Sequence, residues 1–152
     1  MLKADPGFKK TLSPVEGAGK LSYCYQCSAC VAECPAAHNF NDFNPREIVL
    51  ASLIGVADYL TAKDSVIWQC TTCYKCYERC PQGTHPVEVI NALKNISCAA
   101  GNGPEEVTSS RDNVLANGSL ISPSEAIEKR RQELGLDKAP VAPAGELKKI
   151  LE

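Results

Sequence analysis

The 152-residue chain has no long apolar run, no excess of positive charge and few alternations of β-branched residues. Its longest apolar stretch, Ile48 to Ala57, is too short to cross a bilayer, so no membrane span is expected. Acidic residues outnumber basic ones 18 to 16, a net charge of −2, and no helix-turn-helix with a basic face is evident; both argue against nucleic acid as a partner. The opening segment MLKADPGFKK has no apolar core of the signal-peptide kind, so secretion is not expected. No G-x-G-x-x-G segment occurs, which leaves a flavin or nicotinamide fold unsignalled. Cys-Cys doublets are absent too. With no hairpin signal between alternating runs, helices remain as the expected element, and the fold class is read as all-α. The 44% hydrophobic content is ordinary for a globular chain.

What is present is cysteine. Eight of the nine fall into two copies of one pattern, C-x2-C-x2-C-x3-C-P. The first copy is Cys24, Cys27, Cys30 and Cys34; the second is Cys70, Cys73, Cys76 and Cys80. A cubane 4Fe–4S cluster needs one thiolate at each iron corner, and three closely spaced cysteines can curl a short backbone around one face. The fourth ligand must come from the far side. The spacing is similar to that of two-cluster ferredoxins, in which the fourth cysteine of each run ligates the other cluster. That likeness implies two clusters: one on Cys24, Cys27, Cys30 and Cys80, the other on Cys70, Cys73, Cys76 and Cys34. Pro35 and Pro81 restrict the backbone after each fourth cysteine and remove a donor there, which helps turn the chain away.

Three other chemistries use cysteine in such density. Disulfides suit small secreted domains, which this N-terminus does not suggest. Structural zinc takes pairs of cysteines separated by a dozen or more residues, not four within eleven positions. A thiol redox motif needs a single C-x-x-C, not two four-cysteine runs. Cluster binding accounts for all eight. Eight thiolates and two oxidised cubes bring the net charge to about −6, and a reducing cytoplasm is the expected compartment.

Residues 1–20 read as an N-terminal arm, broken by Pro6, Gly7, Pro14, Gly17 and Gly19; it either lies on a partner or is a loose terminus. Residues 21–101 form the two-cluster domain, and residues 102–152 a helical extension. Cys34 and Cys70 are separated by 35 residues that read as helical: Asn44 as N-cap, Pro45 at the first position, and Ile48, Leu53, Val56 and Leu60 on one apolar face through Leu60. A second short helix is expected from about Ala62 to Trp68. After Cys80, Thr84 is expected to cap a helix that carries Val87, Ile90, Leu93 and Ile96 inward and stops at Gly101. Another helix is expected over Pro104 to Ala116. Ser122 and Glu125 fit a capping box for a helix ending near Gly135. A Pro/Ala linker then leads to GELKKILE, either a partner-docking helix or a frayed end.

Cys98 lies outside any ligand spacing and is expected to be a small buried apolar residue. His38 and His85 follow the fourth cysteines at offsets of four and five; with four thiolates available per cube, they are taken as structural or surface groups. Tyr23, Tyr25, Trp68, Tyr74 and Tyr77 flank the ligands and are expected to keep water off the clusters. Glu128 to Arg131 is a charge run, read as a solvated face or a contact between protein chains.

Two cysteine runs, a long helical connection and an all-helical tail resemble the α-helical ferredoxin family. Within it the chain is similar to the C subunits of soluble heterodisulfide reductases of methanogenic archaea, over approximately residues 18–135, with IWQCTTCYKCYERCP the most suggestive segment. The resemblance implies an iron–sulfur electron relay with no catalytic residues of its own. A flavin-containing subunit of the same complex would supply electrons, and a cysteine-rich one would reduce the mixed disulfide of coenzymes M and B. A hydrogenase or formate dehydrogenase module beyond them is a further option. Related modules serve anaerobic glycerol-3-phosphate dehydrogenase and glycolate oxidase, and a diffusible ferredoxin is the remaining alternative.

Overall fold

The computed structural model describes residues 3–121, 124–139 and 149. Contacts divide the chain into two units, Met1–Gly103 and Pro104–Glu152. Among the described residues there are helices, turns and loops but no strand.

In the first unit the chain begins with α1 (Phe8–Leu12), then a 3-10 turn, Leu21–Tyr23, that leads into the first cysteine run. That run holds the four-residue α2 (Ala29–Ala32), followed by α3 (Pro35–Asn39). The expected arm is built into the unit. Phe8, Leu12 and Ala18 are buried in the same apolar cluster as Leu21, Ile48 and Leu93, and the Asp5 amide donates to the Gly55 carbonyl at 2.7 Å. Prolines and glycines break the periodicity that would signal this in the sequence. Three apolar side chains, placed by those same turns, supply the anchoring.

The connection between the runs carries α4 (Pro45–Ile54) and α5 (Ala57–Leu60). Asn44 caps α4 as expected, its side-chain oxygen accepting from the amides of Arg46 at 3.0 Å and Glu47 at 3.3 Å. The helix does not continue to Leu60. Gly55 adopts φ +80° and ends it, a left-handed stop that glycine takes without strain. A β-carbon there would strike the Asp5 backbone, so the glycine also admits the N-terminal segment. The helix expected over Ala62–Trp68 is instead a 3-10 turn, Val66–Gln69, which leads into the second run as the earlier turn leads into the first.

The second run holds α6 (Lys75–Glu78), and α7 (Pro86–Ala99) follows. Thr84 does not cap α7. His85 takes that position at φ +52°, and Pro86 occupies the first turn. Val87, Ile90 and Leu93 are buried, and α7 packs on α4. Ser97 Oγ and Asn102 Nδ2 both donate to the Thr61 carbonyl at 3.0 Å, fastening the end of α7 to the end of α5.

The second unit contains α8 (Glu105–Asn117) and α9 (Glu125–Glu133), neither with a buried residue. Gly118 at φ +67° ends α8. The cap of α9 is Ser124, whose Oγ accepts from the Ile127 amide at 3.4 Å, so Glu125 stands at the first helical position rather than the third. Ser122, the expected cap, lies outside the described residues, as do residues 140–145 of the expected Pro/Ala linker and, Lys149 apart, the expected terminal helix.

Candidate metal centre

The two cysteine runs adopt the same local structure twice. Each first cysteine, Cys24 or Cys70, closes a 3-10 turn in an extended conformation. The residues two and four places on are left-handed in both runs: Gln26 (φ +62°) and Ser28 (+68°), then Thr72 (+53°) and Tyr74 (+60°). None is glycine, so each costs about 1–2 kcal/mol against the right-handed backbone. Alternating backbone hand makes a concavity of amides suited to negative charge. Composition gives no hint of these positions; only their repeated offset within the runs does. The third cysteine, Cys30 or Cys76, then sits buried on a single turn of helix, α2 or α6. Cys34 precedes Pro35 at the first position of α3, and Cys80 precedes Pro81.

Two hollows result, one at each sulfur set. Hollow 1 is lined by Cys24, Cys27, Cys30 and Cys80, together with Tyr25, Gln26, Arg46 and Pro81. Hollow 2 is lined by Cys34, Cys70, Cys73 and Cys76, together with Phe43, Pro45, Val87 and Ile90. Each thus takes three sulfurs from one run and the fourth from the other. Cys30, Cys76 and Val87 form a small apolar cluster of their own, joining the two sets. All nine cysteines are free of disulfides. Among the described residues no three acidic, histidine or cysteine side chains converge on a single ion.

Electrostatics differ along each set. Burial pushes the Cys30 thiol up to about 11, with Cys24 nearby adding to it. Burial pushes Cys76 up to about 12, against the opposing effect of the Val87 amide. Burial also raises Cys80, but the amides of His85, Gln82 and Thr84 and the Thr84 hydroxyl outweigh it and leave that thiol below its ordinary value. Gln26 Nε2 donates to Cys24 Sγ at 3.2 Å, and the Thr84 amide to Cys80 Sγ at 3.3 Å. Arg46 Nε in the wall of hollow 1 and Trp68 Nε1, two residues before Cys70, are buried donors with no hydrogen-bonded partner in the protein. Such orphans fit a site meant for a group with further acceptor atoms, as the inorganic sulfides of a cluster are. Cys27 and Cys73 are the exposed member of each set, so each hollow has one edge open to a partner.

The flanking residues depart from expectation in part. Tyr25 lines hollow 1 and Tyr74 hollow 2, but Tyr23 is 61% exposed and lines neither. The Tyr25 hydroxyl is raised, first by its hydrogen bond with Cys27. His38 is exposed. His85 stacks on Tyr77 with ring centroids 3.7 Å apart, and its Nδ1 lies 3.0 Å from the Tyr77 carbonyl. Cys98 lies outside both hollows and is half-buried rather than buried.

Residues 20–84 match the 4Fe-4S dicluster domain family. The chain is 34% identical over 134 residues to the C2 subunit of the H2/formate:CoB–CoM heterodisulfide,ferredoxin reductase of Methanococcus maripaludis, covering 86% of this chain and 71% of the relative. It is 34% identical over 153 residues to the second iron–sulfur C subunit of the CoB–CoM heterodisulfide reductase of Methanocaldococcus jannaschii, covering 93% and 81%. A third relative, the C subunit of the ferredoxin:CoB–CoM heterodisulfide reductase of Methanosarcina acetivorans, is 33% identical over 130 residues, covering 84% and 51%. No helix among the described residues is long and apolar enough to cross a membrane.

Proposed function

The chain belongs to the family of iron–sulfur C subunits of CoB–CoM heterodisulfide reductases, and from that premise we propose that it is the electron relay of such a complex in methanogenesis. The observation that carries this reading is the pair of four-sulfur hollows, each closed by a cysteine from the opposite run. Two 4Fe–4S clusters bound there supply one-electron transfer between the redox centres of flanking subunits. Cys24, Cys27, Cys30 and Cys80 hold the first; Cys70, Cys73, Cys76 and Cys34 hold the second. Left-handed residues 26, 28, 72 and 74 turn the backbone around each site, while Phe43, Val87 and Ile90 keep water from the inner wall of hollow 2. Cys27 and Cys73 offer the edges at which partners approach.

The partners of this reading are a flavin-containing subunit on the donor side and a cysteine-rich subunit that reduces the heterodisulfide. A hydrogenase or formate dehydrogenase module would feed the flavoprotein. We place the assembly in the cytoplasm, where thiols stay reduced. The absence of any G-x-G-x-x-G segment or Cys-Cys doublet in the chain accords with leaving the two-electron chemistry to those partners. The test is anaerobic purification with a tag on this chain. About eight irons and eight sulfides per chain are expected, with a flavoprotein and a cysteine-rich protein retained on the column. A chain that carries zinc, or that elutes alone with its clusters, would overturn the proposal.

A further inference from the structure

This inference rests on the reading that both hollows hold clusters. We infer that the donors gathered at hollow 1 hold the cluster bound there at a higher reduction potential than the cluster of hollow 2. Adding one electron to a 4Fe–4S centre adds one negative charge, so hydrogen bonds to its sulfurs, nearby positive charge and contact with water all favour the reduced form.

Hollow 1 has more of each. Gln26 and the Thr84 amide already donate to ligand sulfurs. The Arg46 side chain forms part of the wall, its Nε buried and unpartnered. Glu47 pairs with the other end of that guanidinium at 3.3 Å, but its side chain is 62% exposed and water weakens its opposing charge. Cys80 is also partly exposed, whereas Cys34, its counterpart in hollow 2, is buried.

Hollow 2 is drier and has fewer donors, the Val87 amide on Cys76 being one. No Lys or Arg lines it; Lys75 and Arg79 meet its exposed Cys73 only at an open surface pocket, where water weakens their charge, and its wall is Ala36, Phe43, Pro45, Val87 and Ile90 beside the cysteines, Thr71 and Tyr74. Among the described residues no side chain is hydrogen-bonded to a sulfur of this set. Lys94 comes near it only at the backbone: Nζ donates to the Cys70 carbonyl at 3.1 Å and lies 5.7 Å from the centre of the Trp68 ring. An electron entering the pair therefore settles at hollow 1.

The test is a mediator-poised redox titration of the anaerobic holo-protein, followed by electron paramagnetic resonance. Two one-electron steps with about eight irons per chain mark the loaded protein; fewer clusters would instead sink the underlying reading. Arg46→Gln should lower the upper potential by at least a tenfold change in its reduction constant, about 59 mV for a one-electron couple. The lower potential should stay in place, and Arg46→Lys should recover most of the shift. Gln26→Leu should act in the same direction by less, and it decides the matter if Arg46→Gln fails to hold iron. Lys94→Met should leave the upper step unmoved. The inference is wrong if the deciding variant shifts the lower step or neither step, or if Lys94→Met shifts the upper one.

Discussion

Two pairs of double substitutions separate crossed from local ligation, although every variant removes two cysteines. Cys24 and Cys80 line the same hollow, whereas Cys24 and Cys34 line different ones. Changing Cys24 and Cys80 together to alanine should therefore destroy one four-sulfur set and leave the other complete. Changing Cys24 and Cys34 together should damage both. Counted as iron, the first variant should retain about four atoms per chain and the second close to none, against about eight in the parent. The mirror pair gives the same contrast: Cys70 with Cys34 should retain about four, Cys70 with Cys80 close to none. Iron and acid-labile sulfide are assayed on anaerobic material, and resonance spectra of the reduced half-loaded variants should lack any coupling between two centres. The reasoning fails if Cys24 with Cys34 is the variant that keeps half its iron. In that case each run would fill its own cluster, and the shared hollows would be unrelated to binding.

Other outcomes follow from the packing. Leu93→Ala, at a fully buried position on α7, should destabilise the protein by about 2–5 kcal/mol; Leu134→Ala, 62% exposed, should change stability by less than about 0.5 kcal/mol, both read as thermal midpoints of the holo-protein. Asn44→Ala removes the cap of α4 and should cost about 1 kcal/mol, with Asn44→Asp recovering most of it. Gly55→Ala should release the N-terminal segment, because the new methyl group meets the Asp5 backbone; limited proteolysis should then cut before Phe8 faster than in the parent. Stripping iron with a chelator should lower the far-ultraviolet helical signal of the first unit, since metal binding and folding are coupled in small metal domains.

The cysteine runs and the helices α4, α7 and α8 are legible in the amino-acid sequence because their signals are local. Asn44-Pro45 and Pro86 act within one turn of themselves, and the cysteine spacing is read directly. Residues 3–20 are not legible, because the burial of Phe8, Leu12 and Ala18 depends on α4 and α7, far along the chain. Gly55 looks in the sequence like a tolerated helix glycine; its left-handed φ follows from the neighbouring Asp5 segment as much as from its own freedom. His85 displaces Thr84 as the residue before α7 because its ring stacks on Tyr77. Arg46 and Gln26 carry no sequence mark of the site. One sits on α4 and the other between two cysteines, and nothing in residue type sets either apart from an ordinary polar side chain.

The reach of each sulfur set along the chain also bears on how the protein is made. Hollow 1 spans Cys24 to Cys80, and hollow 2 spans Cys34 to Cys76. A nascent polypeptide therefore has no complete cradle until its second run has left the ribosome. On the proposed ligation, iron delivered earlier would find three thiols and a missing corner, so maturation would wait for nearly the whole first unit, and truncation anywhere before Cys76 would leave nothing to load.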